Sequence, residues 1–147
     1  MGKQAAKTRD VSGEASDSPV WADELCRVVR VADPDYPGFC RVIVHAHVRE
    51  MSDLSPAQQQ QLMRVVFAVE SALRQLYQPD KINLASLGNV TPHLHWHVIP
   101  RWHNDRHFPN PIWAEARQAS SAQRAEVSTS ALRSALEANL QGLCPND

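Results

Sequence analysis

Residues 93–99 read His93-Leu94-His95-Trp96-His97-Val98-Ile99, and this stretch decides the fold of the chain. In an extended strand, successive side chains point to opposite faces of the sheet. We therefore predict a strand from His93 to Trp102 whose three histidines share one face, while the apolar residues between them face a core. Three histidines on one face bring no packing advantage, so the alternation predicts a functional site there.

Histidine suits several kinds of site, and the pattern alone leaves two of them open. Imidazole can be a nucleophile, a general acid or base near neutral pH, or a metal ligand. The first possibility is nucleophilic catalysis. The second is a zinc site, because two histidines two positions apart on a strand can bind one ion. A third interpretation, that the histidines are solvent-exposed residues without a function, is disfavoured because the regular alternation with apolar residues indicates a packed strand. A zinc site needs a further ligand, for which the candidates are His45, His47, His103 and His107.

The same seven residues resemble the motif of the histidine triad (HIT) superfamily of nucleotide hydrolases and transferases. That motif is His-φ-His-φ-His-φ-φ, where φ is apolar, and residues 93–99 match it at every position. The next two residues, Pro100 and Arg101, resemble the diadenosine polyphosphate hydrolase branch. The resemblance extends from Trp21 to Trp113. It implies an α+β fold, with helices packed on an antiparallel sheet, and a homodimer that joins two sheets.

The resemblance also implies a role for each histidine of the triad. His95 is the nucleophile: a neutral imidazole nitrogen attacks the α-phosphorus of a nucleotide, and water then hydrolyses the nucleotidyl-His95 intermediate. His97 contacts the phosphate, and His93 supports the geometry of His95. The imidazoles replace the divalent cation that many phosphoryl-transfer enzymes use, so we expect no cofactor and no metal ligand. The expected substrates are nucleoside phosphoramidates or dinucleoside polyphosphates.

Upstream of the triad, the superfamily has the pattern Gly-Gln-Ser/Thr-Val-x-His where this chain has residues 88–93. Val90 replaces the hydroxyl that contacts the phosphate or the leaving group, and Thr91 is the candidate substitute one position later. Asn83 matches an asparagine that members place near the phosphate. A turn or cap role for Asn83 and Asn89 is the alternative. The substrate-binding residues implied by the resemblance are Asn83, Gly88, Asn89 and Thr91.

Other departures from the superfamily concern nucleotide recognition. Phe39 stands where some members carry a fourth active-site histidine, and Val31 where an acidic residue holds the ribose hydroxyls. The alternative to an enzyme is therefore a nucleotide-binding module with little activity. In related proteins, the chain after the triad strand reaches toward the dimer mate's active site. Trp113, Phe108 or His107 is the candidate for that role here, and a surface loop with aromatic anchors is the alternative.

The bulk composition narrows the classes of function. Hydrophobic residues make up 43% of the chain and charged residues 21%, which is ordinary for one globular domain. The formal net charge of -1 gives no electrostatic argument for a nucleic-acid polymer as partner. No stretch approaches the apolar length of a membrane span. Cys26, Cys40 and Cys144 are odd in number and lack a C-x-x-C pair, so we expect a reducing compartment, the cytoplasm.

Turn and helix signals organise the rest of the chain. Ser55 is a predicted N-cap with Pro56 at the first helical position, and Pro79 ends that helix. The order of elements predicts an antiparallel sheet of about five strands, one long helix packed on it and a C-terminal helix. Strands are predicted within Trp21–Val31, Phe39–His47, Lys81–Leu87 and His93–Trp102, and the last helix within Arg117–Gly142. We predict a disordered tail over residues 1–18, a HIT-like domain over 19–115 and a C-terminal helical extension over 116–147.

The long helix from Pro56 to Tyr77 also bears on assembly. Beside its main apolar stripe it carries a second patch, Met63 and Phe67. One sheet face does not need that extra width, so we predict that the patch contributes to a homodimer contact. The alternative is that the C-terminal helix covers Met63 and Phe67 within one subunit.

Overall fold

The computed structural model describes residues 17–142, which form one five-stranded sheet with helices on one of its faces. The predicted tail over residues 1–18 lies outside the described residues except for Asp17 and Ser18. A short 3₁₀ helix, Met51–Asp53, precedes the long helix. The remaining elements are β1 (Ser18–Ala22), β2 (Cys26–Arg30), β3 (Cys40–Val44), α1 (Pro56–Tyr77), β4 (Lys81–Ala85), β5 (His95–Arg101) and α2 (Thr129–Gly142).

The sheet has the strand order β1-β2-β3-β5-β4, and each neighbouring pair is antiparallel. The first three strands follow one another as a meander. Helix α1 then crosses the sheet, so that β4 forms an edge and β5 returns between β3 and β4. The triad strand therefore has a hydrogen-bonded neighbour on both sides. This architecture confirms the predicted α+β fold.

The ends of α1 follow from local chemistry, as predicted. The Ser55 side chain accepts a hydrogen bond from the Gln58 backbone N–H, while the Gln58 side chain accepts one from the Ser55 backbone N–H. This reciprocal pair satisfies two of the donors that a helix start leaves open. At the other end, Gln78 adopts a left-handed conformation with φ 48°. Pro79 follows and cannot continue the helix.

The main core lies between the helices and one face of the sheet. Leu62, Val66 and Leu73 of α1 are fully buried there. Helix α2 completes the layer, because Leu132 and Leu136 belong to the same buried cluster. The sheet contributes the side chains of one strand face, namely Val20, Cys26, Val28, Cys40, Val42, Val44, Ile82 and Val98. The opposite face of the sheet is left to carry the histidines.

The structure corrects the predicted start of the triad strand. Strand β5 begins at His95, not His93, and β3 ends at Val44, not His47. The ladder pairs Ile43 with His95. One residue later the Val44 N–H still donates to the Leu94 carbonyl, at 3.2 Å, but the Leu94 N–H donates to the Val48 carbonyl at 2.8 Å, beyond the end of β3. A strand that has lost its neighbour cannot extend the ladder, and His93 lies in the preceding loop.

The patch predicted to mediate dimerisation divides into two parts. Met63 is partly buried and packs against the main core of its own subunit, so the patch is narrower than predicted. Phe67 remains 45% exposed. On the edge strand β4, which follows α1 in the chain, Leu84 is also exposed.

Two further features concern the described residues as a whole. Within residues 17–142, neither helix has the length and apolarity needed to cross a membrane. Cys26 and Cys40 are free thiols, and both are buried.

Candidate active site

The helix-free face of the sheet, which we call the site face, collects polar side chains from three strands. Residues paired across a ladder point to the same side of a sheet. The register pairs His95 with Ile43, and His97 with Arg41. On the other side of β5, it pairs His97 with Ala85, Ile99 with Asn83, and Arg101 with Lys81. The two strand histidines therefore share this face with Arg41, Asn83 and Arg101.

His95 and His97 are both buried, and their rings meet edge to face with centroids 4.8 Å apart. The Nδ1 atom of His95 lies 2.6 Å from the carbonyl oxygen of His93. A carbonyl only accepts, so Nδ1 carries the proton and donates. In a neutral imidazole the other nitrogen then holds the lone pair. The lone pair of His95 is therefore on Nε2.

Both imidazoles are neutral at physiological pH. Burial lowers the pKa of His97 to about 3, and repulsion from His95, when that ring is protonated, and from Arg41 acts in the same direction. Burial also lowers the pKa of His95. The bond to the His93 carbonyl opposes that shift, and the charges of Arg41 and His93 reinforce it. A neutral imidazole keeps the lone pair that a nucleophile needs.

Aromatic rings flank His97 on two sides. The Phe39 ring lies 5.8 Å away and the Trp113 ring 5.0 Å away, measured between centroids. Trp113 is 49% exposed, while its chain neighbour Ile112 packs against a buried cluster that contains Val31 and Phe39. Trp113 therefore lies beside His97 of its own subunit, and a reach of this segment toward a dimer mate's site stays a prediction.

His93 occupies a different environment from the other two histidines. Its Nε2 donates to the Val44 carbonyl oxygen at 2.5 Å, and its ring meets that of His47 with centroids 5.6 Å apart. The His93 side chain thus fastens the loop to the end of β3, while its backbone carbonyl orients His95. The three histidines do not form one continuous row: two line the site face and the third anchors the loop before it.

The four predicted substrate-binding residues fall in two places. Asn83 lies on the site face, and its Oδ1 accepts a hydrogen bond from Arg101 at 2.8 Å. Gly88, Asn89 and Thr91 lie in the loop that joins β4 to β5. Gly88 has φ +75°, a conformation that favours glycine, and the Thr91 carbonyl accepts from the His93 N–H at 2.8 Å.

Sequence reasoning missed a hydroxyl and a cation at this site. Ser86 donates through Oγ to the His95 carbonyl at 2.7 Å and so fixes the start of β5. Arg41 is buried on the site face, and its guanidinium forms an ion pair with Asp17 at 3.2 Å. The alternation of β3 could have identified Arg41, because it places Arg41 on the same face as Phe39 and Ile43. No local signal distinguishes Ser86, since its partner is a backbone atom of another strand.

Arg101 is the centre of a buried hydrogen-bond network. The sequence had singled it out only because Pro100 and Arg101 resemble the diadenosine polyphosphate hydrolase branch. The Nε atom of Arg101 donates to Asp105 at 2.7 Å, and one of its terminal nitrogens reaches the Asn110 carbonyl at 2.7 Å. Burial alone would raise the pKa of Asp105, but the Arg101 guanidinium and backbone N–H donors lower it. The other groups that donate to the Asp105 carboxylate are the backbone N–H groups of Trp102, His107 and Phe108 and the hydroxyl of Tyr36.

The residues proposed as additional zinc ligands have other partners. His45 bonds the Asp23 carbonyl at 2.9 Å, His103 lies 3.5 Å from Asp80, and His107 bonds the Tyr36 hydroxyl at 2.6 Å. Over the part of the chain that the structure describes, no three histidine, cysteine or acidic side chains are grouped closely enough to hold a metal ion. The zinc alternative gains no support from this arrangement.

Comparisons with known proteins agree with the geometry. A model of the HIT domain matches residues 12–104 of this chain. Two curated relatives, both AP-4-A phosphorylase from Mycobacterium tuberculosis (strains CDC 1551 / Oshkosh and ATCC 25618 / H37Rv), are 28% identical over 81 residues. Each match covers 51% of this chain and 42% of the relative, so it spans less than half of those proteins.

Solved structures match over most of the chain. A histidine triad protein from Bradyrhizobium japonicum superposes with a TM-score of 0.68 at 28% identity, covering 85% of this chain and 91% of its own. A histidine triad protein from Marinobacter aquaeolei VT8 gives a TM-score of 0.67 at 27% identity, covering 88% of this chain and 93% of its own.

Proposed function

The chain belongs to the HIT domain family, and from that membership we propose that it cleaves nucleotides at the α-phosphate with His95 as the nucleophile. The observation that carries the proposal is the hydrogen bond from His95 Nδ1 to the His93 carbonyl, which leaves the lone pair on Nε2. The substrates we propose are nucleoside phosphoramidates or dinucleoside polyphosphates. The similarity to AP-4-A phosphorylase supports a substrate of that chemistry.

The proposed reaction has two displacements at phosphorus. In the first, His95 Nε2 attacks the α-phosphorus and an N–P bond forms. The bond from phosphorus to the leaving group breaks, and the leaving group departs with the electron pair of that bond. In the second, water attacks the same phosphorus, the N–P bond breaks, and its electron pair returns to Nε2. The hydroxyl of the water remains on phosphorus in the released nucleoside monophosphate, and the other proton of the water is released. Dividing the reaction in this way is ordinary covalent catalysis.

Charge that develops on the phosphoryl oxygens needs donors nearby. We assign the contact with the phosphate to His97, whose Nδ1 is buried without a hydrogen-bond partner among the described residues. Asn83 contributes its amide from β4. We assign the approach of the leaving group to the loop that carries Gly88, Asn89 and Thr91, because this loop leads directly into His95.

The test is turnover of adenosine phosphoramidate and diadenosine tetraphosphate by wild type and by His95→Ala. We expect wild type to release AMP in the presence of a chelator, and His95→Ala to release none. After quenching in alkaline denaturant, which preserves an N–P bond, intact-mass analysis should find one nucleotidyl group on wild type and none on the variant. The matched control is His103→Ala, because His103 is exposed and its ring contacts Phe108 rather than a histidine of the triad. Equal turnover by wild type and His95→Ala would contradict the proposal.

A second function, nucleotide binding with little turnover, is favoured by one observation. Val31 and Phe39 lie in a buried apolar cluster with Tyr36 and Ile99, where the superfamily uses an acidic residue and a histidine. Binding to this surface would then rely on apolar contacts rather than on ribose recognition. Calorimetry with AMP separates the two functions: micromolar binding by a protein that releases no AMP supports the module, and rapid turnover eliminates it.

We also propose that the protein is a homodimer. Strand β4 is an edge of the sheet and has unpaired backbone groups on its outer side. Phe67 of α1 and Leu84 of β4 are exposed apolar side chains. A two-fold interface would cover both the edge and the side chains.

The remaining proposals concern location and domain limits. We propose a cytoplasmic location, which the buried free thiols of Cys26 and Cys40 support. We propose a small-molecule nucleotide as partner and no nucleic-acid polymer. The division into a domain over residues 19–115 and an extension over 116–147 stays a prediction.

A further inference from the structure

The side chain of Arg101 is 2% exposed and forms hydrogen bonds in two directions. Toward the C-terminus of β5 it bonds the Asp105 carboxylate and the Asn110 carbonyl. In the other direction, Nη1 donates across the ladder to Oδ1 of Asn83 at 2.8 Å. That last bond joins the network to the site face, because Asn83 pairs with Ile99 next to His97.

The chemistry of the two partners decides which way the Asn83 amide faces. A guanidinium has five N–H donors and no acceptor, so only the carbonyl oxygen of a carboxamide can face it. The side-chain oxygen of Asn83 therefore faces Arg101 and accepts its hydrogen bond. What Asn83 can offer to the site is its NH₂ group, which only donates. Phosphoryl oxygens only accept, so the orientation suits an anionic substrate.

We propose that Arg101 is a positioning residue that fixes the Asn83 carboxamide with its oxygen turned away and its N–H donors available to the substrate phosphate. The inference rests on the proposed function, since it is the substrate that gives the donors a purpose. An asparagine without such a partner can exchange its oxygen and nitrogen by rotating about one bond. With the oxygen toward the site, it would repel the phosphate instead of binding it.

The surroundings of Arg101 keep the guanidinium from turning. Asp105 accepts from both Nε and Nη2, at 2.7 and 3.2 Å, which is the fork geometry of an arginine–carboxylate pair. The carboxylate is itself held by backbone N–H groups of the following residues. The ring centroids of Tyr36 and Phe108 lie 5.7 and 5.6 Å from the guanidinium carbon. Lysine could not reproduce this arrangement, because its ammonium lacks the planar fork.

The competing explanation is that the Arg101–Asn83 bond only ties β4 to β5. Substitution of Asn83 by aspartate and by alanine separates the two explanations. The carboxylate that Asn83→Asp introduces accepts from Arg101 at least as well as the amide does, so a purely structural tie is preserved or strengthened. At the site, however, the same change replaces an N–H donor by an anionic oxygen. The alanine variant loses the tie and the donor but adds no charge.

We therefore expect opposite orders of stability and activity in the two variants. Asn83→Asp should melt at or above the temperature of Asn83→Ala. Its kcat/KM with adenosine phosphoramidate should nevertheless be lower than that of Asn83→Ala, with Asn83→Ala itself about a hundredfold below wild type, the scale of removing one preorganised donor. The matched control is Asn139→Asp on α2, where Asn139 bonds Gln75 far from the site face. We expect that control to keep wild-type kcat/KM.

Arg101→Lys tests the positioning step itself. If this variant folds, its kcat/KM should fall toward that of Asn83→Ala, and adding Asn83→Ala to it should cause little further loss, because the two residues act through one donor. Fully additive losses in the double variant would overturn the proposal, as would an Asn83→Asp enzyme at least as active as Asn83→Ala.

Failure of the proposed function gives a different result. If wild type turns over no nucleotide, the proposed function fails, and AMP affinity measured by calorimetry replaces kcat/KM in the comparison. Weaker binding of AMP by Asn83→Asp than by Asn83→Ala would then support the inference. Equal or tighter binding by Asn83→Asp would overturn it.

Discussion

The side chain of His95 donates from Nδ1 to the backbone carbonyl of His93, two residues earlier in the chain, at 2.6 Å. The tautomer of the candidate nucleophile is therefore set by a peptide group and not by another side chain. The His93 imidazole acts one step further away, because it fastens that peptide group to the end of β3 through the Val44 carbonyl.

This relationship predicts a graded response to substitution of the two histidines. His95→Ala should abolish turnover, since it removes the nucleophile. His93→Ala keeps the carbonyl that orients His95 and loosens only its support, so we expect kcat to fall between about tenfold and a hundredfold. His47→Ala, which alters only the ring contact with His93, is the control. A His93→Ala enzyme as inactive as His95→Ala would contradict the backbone mechanism.

The depressed pKa of His97 predicts how stability depends on pH. The ordinary pKa of histidine is near 6.5 in the unfolded chain, and burial lowers it to about 3 in the fold. Between these values the unfolded state binds more protons, so stability rises with pH and is lost as the pH falls from about 6.5 toward 3. The melting temperature of wild type should therefore drop between pH 7 and pH 4.5. The drop should be smaller for His97→Gln, and an equal drop in both proteins would contradict the assignment.

Trp113 covers His97, and its removal should change the titration of that ring. Trp113→Ala exposes the imidazole, so the pKa of His97 should rise toward the ordinary value because burial is the largest cause of its depression. Trp113→Phe keeps an aromatic ring in place and should leave the pKa low. The ring-proton chemical shifts of His97, followed by NMR against pH, measure both. A titration unchanged in Trp113→Ala would show that Phe39 and the sheet suffice to bury the ring.

The Arg101–Asp105 pair should dominate the stability of the segment after β5. Asp105→Asn leaves a buried guanidinium without its counter-charge, and we expect unfolding to require about 3 kcal/mol less free energy. Activity should fall as well, since Arg101 also holds Asn83. Urea denaturation monitored by tryptophan fluorescence gives the first quantity. Asp80→Asn, in the exposed pair with His103, is the control and should cost less than about 1 kcal/mol.

The proposed homodimer predicts a solution mass near twice the subunit mass of 16.4 kDa. Light scattering coupled to size exclusion at micromolar concentration measures it. Phe67→Asp puts a charge on the exposed part of α1, and we expect that variant to elute as a monomer with an unchanged circular dichroism spectrum. A wild-type protein of 16.4 kDa would contradict the dimer.

The features predicted well from the sequence are those fixed by neighbours in the chain. Ser55, Pro56 and Pro79 set the ends of α1 through local caps and a missing N–H. The face shared by His95 and His97 follows from the strand period of two. His93 was misplaced because the backbone before His95 bonds to Val48, beyond the end of β3, and that is a contact between distant residues.

The rest of the site depends on contacts that no local pattern reports. Trp113 reaches His97 only because the segment before it returns over the sheet, held by the bond from Arg101 to the Asn110 carbonyl. To predict the hydrogen bond between Arg101 and Asn83, one must know that β4 and β5 are adjacent and that Lys81 lies opposite Arg101. Sequence resemblance identified Asn83 but gave no reason for the orientation of its amide.

The Nδ1 atom of His97 has no hydrogen-bond partner within residues 17–142, and this bears on the stability of the whole protein. A buried polar atom that no protein group pairs with costs about 1–3 kcal/mol of folding free energy, so His97 lowers the free energy of unfolding relative to an apolar residue in its place. Substitution of His97 by an apolar residue would remove the unpaired atom, so we expect a higher free energy of unfolding together with an impaired site. The protein is thus less stable than it could be because His97 keeps a polar atom available for a ligand. Binding of a ligand to that atom should raise the free energy of unfolding.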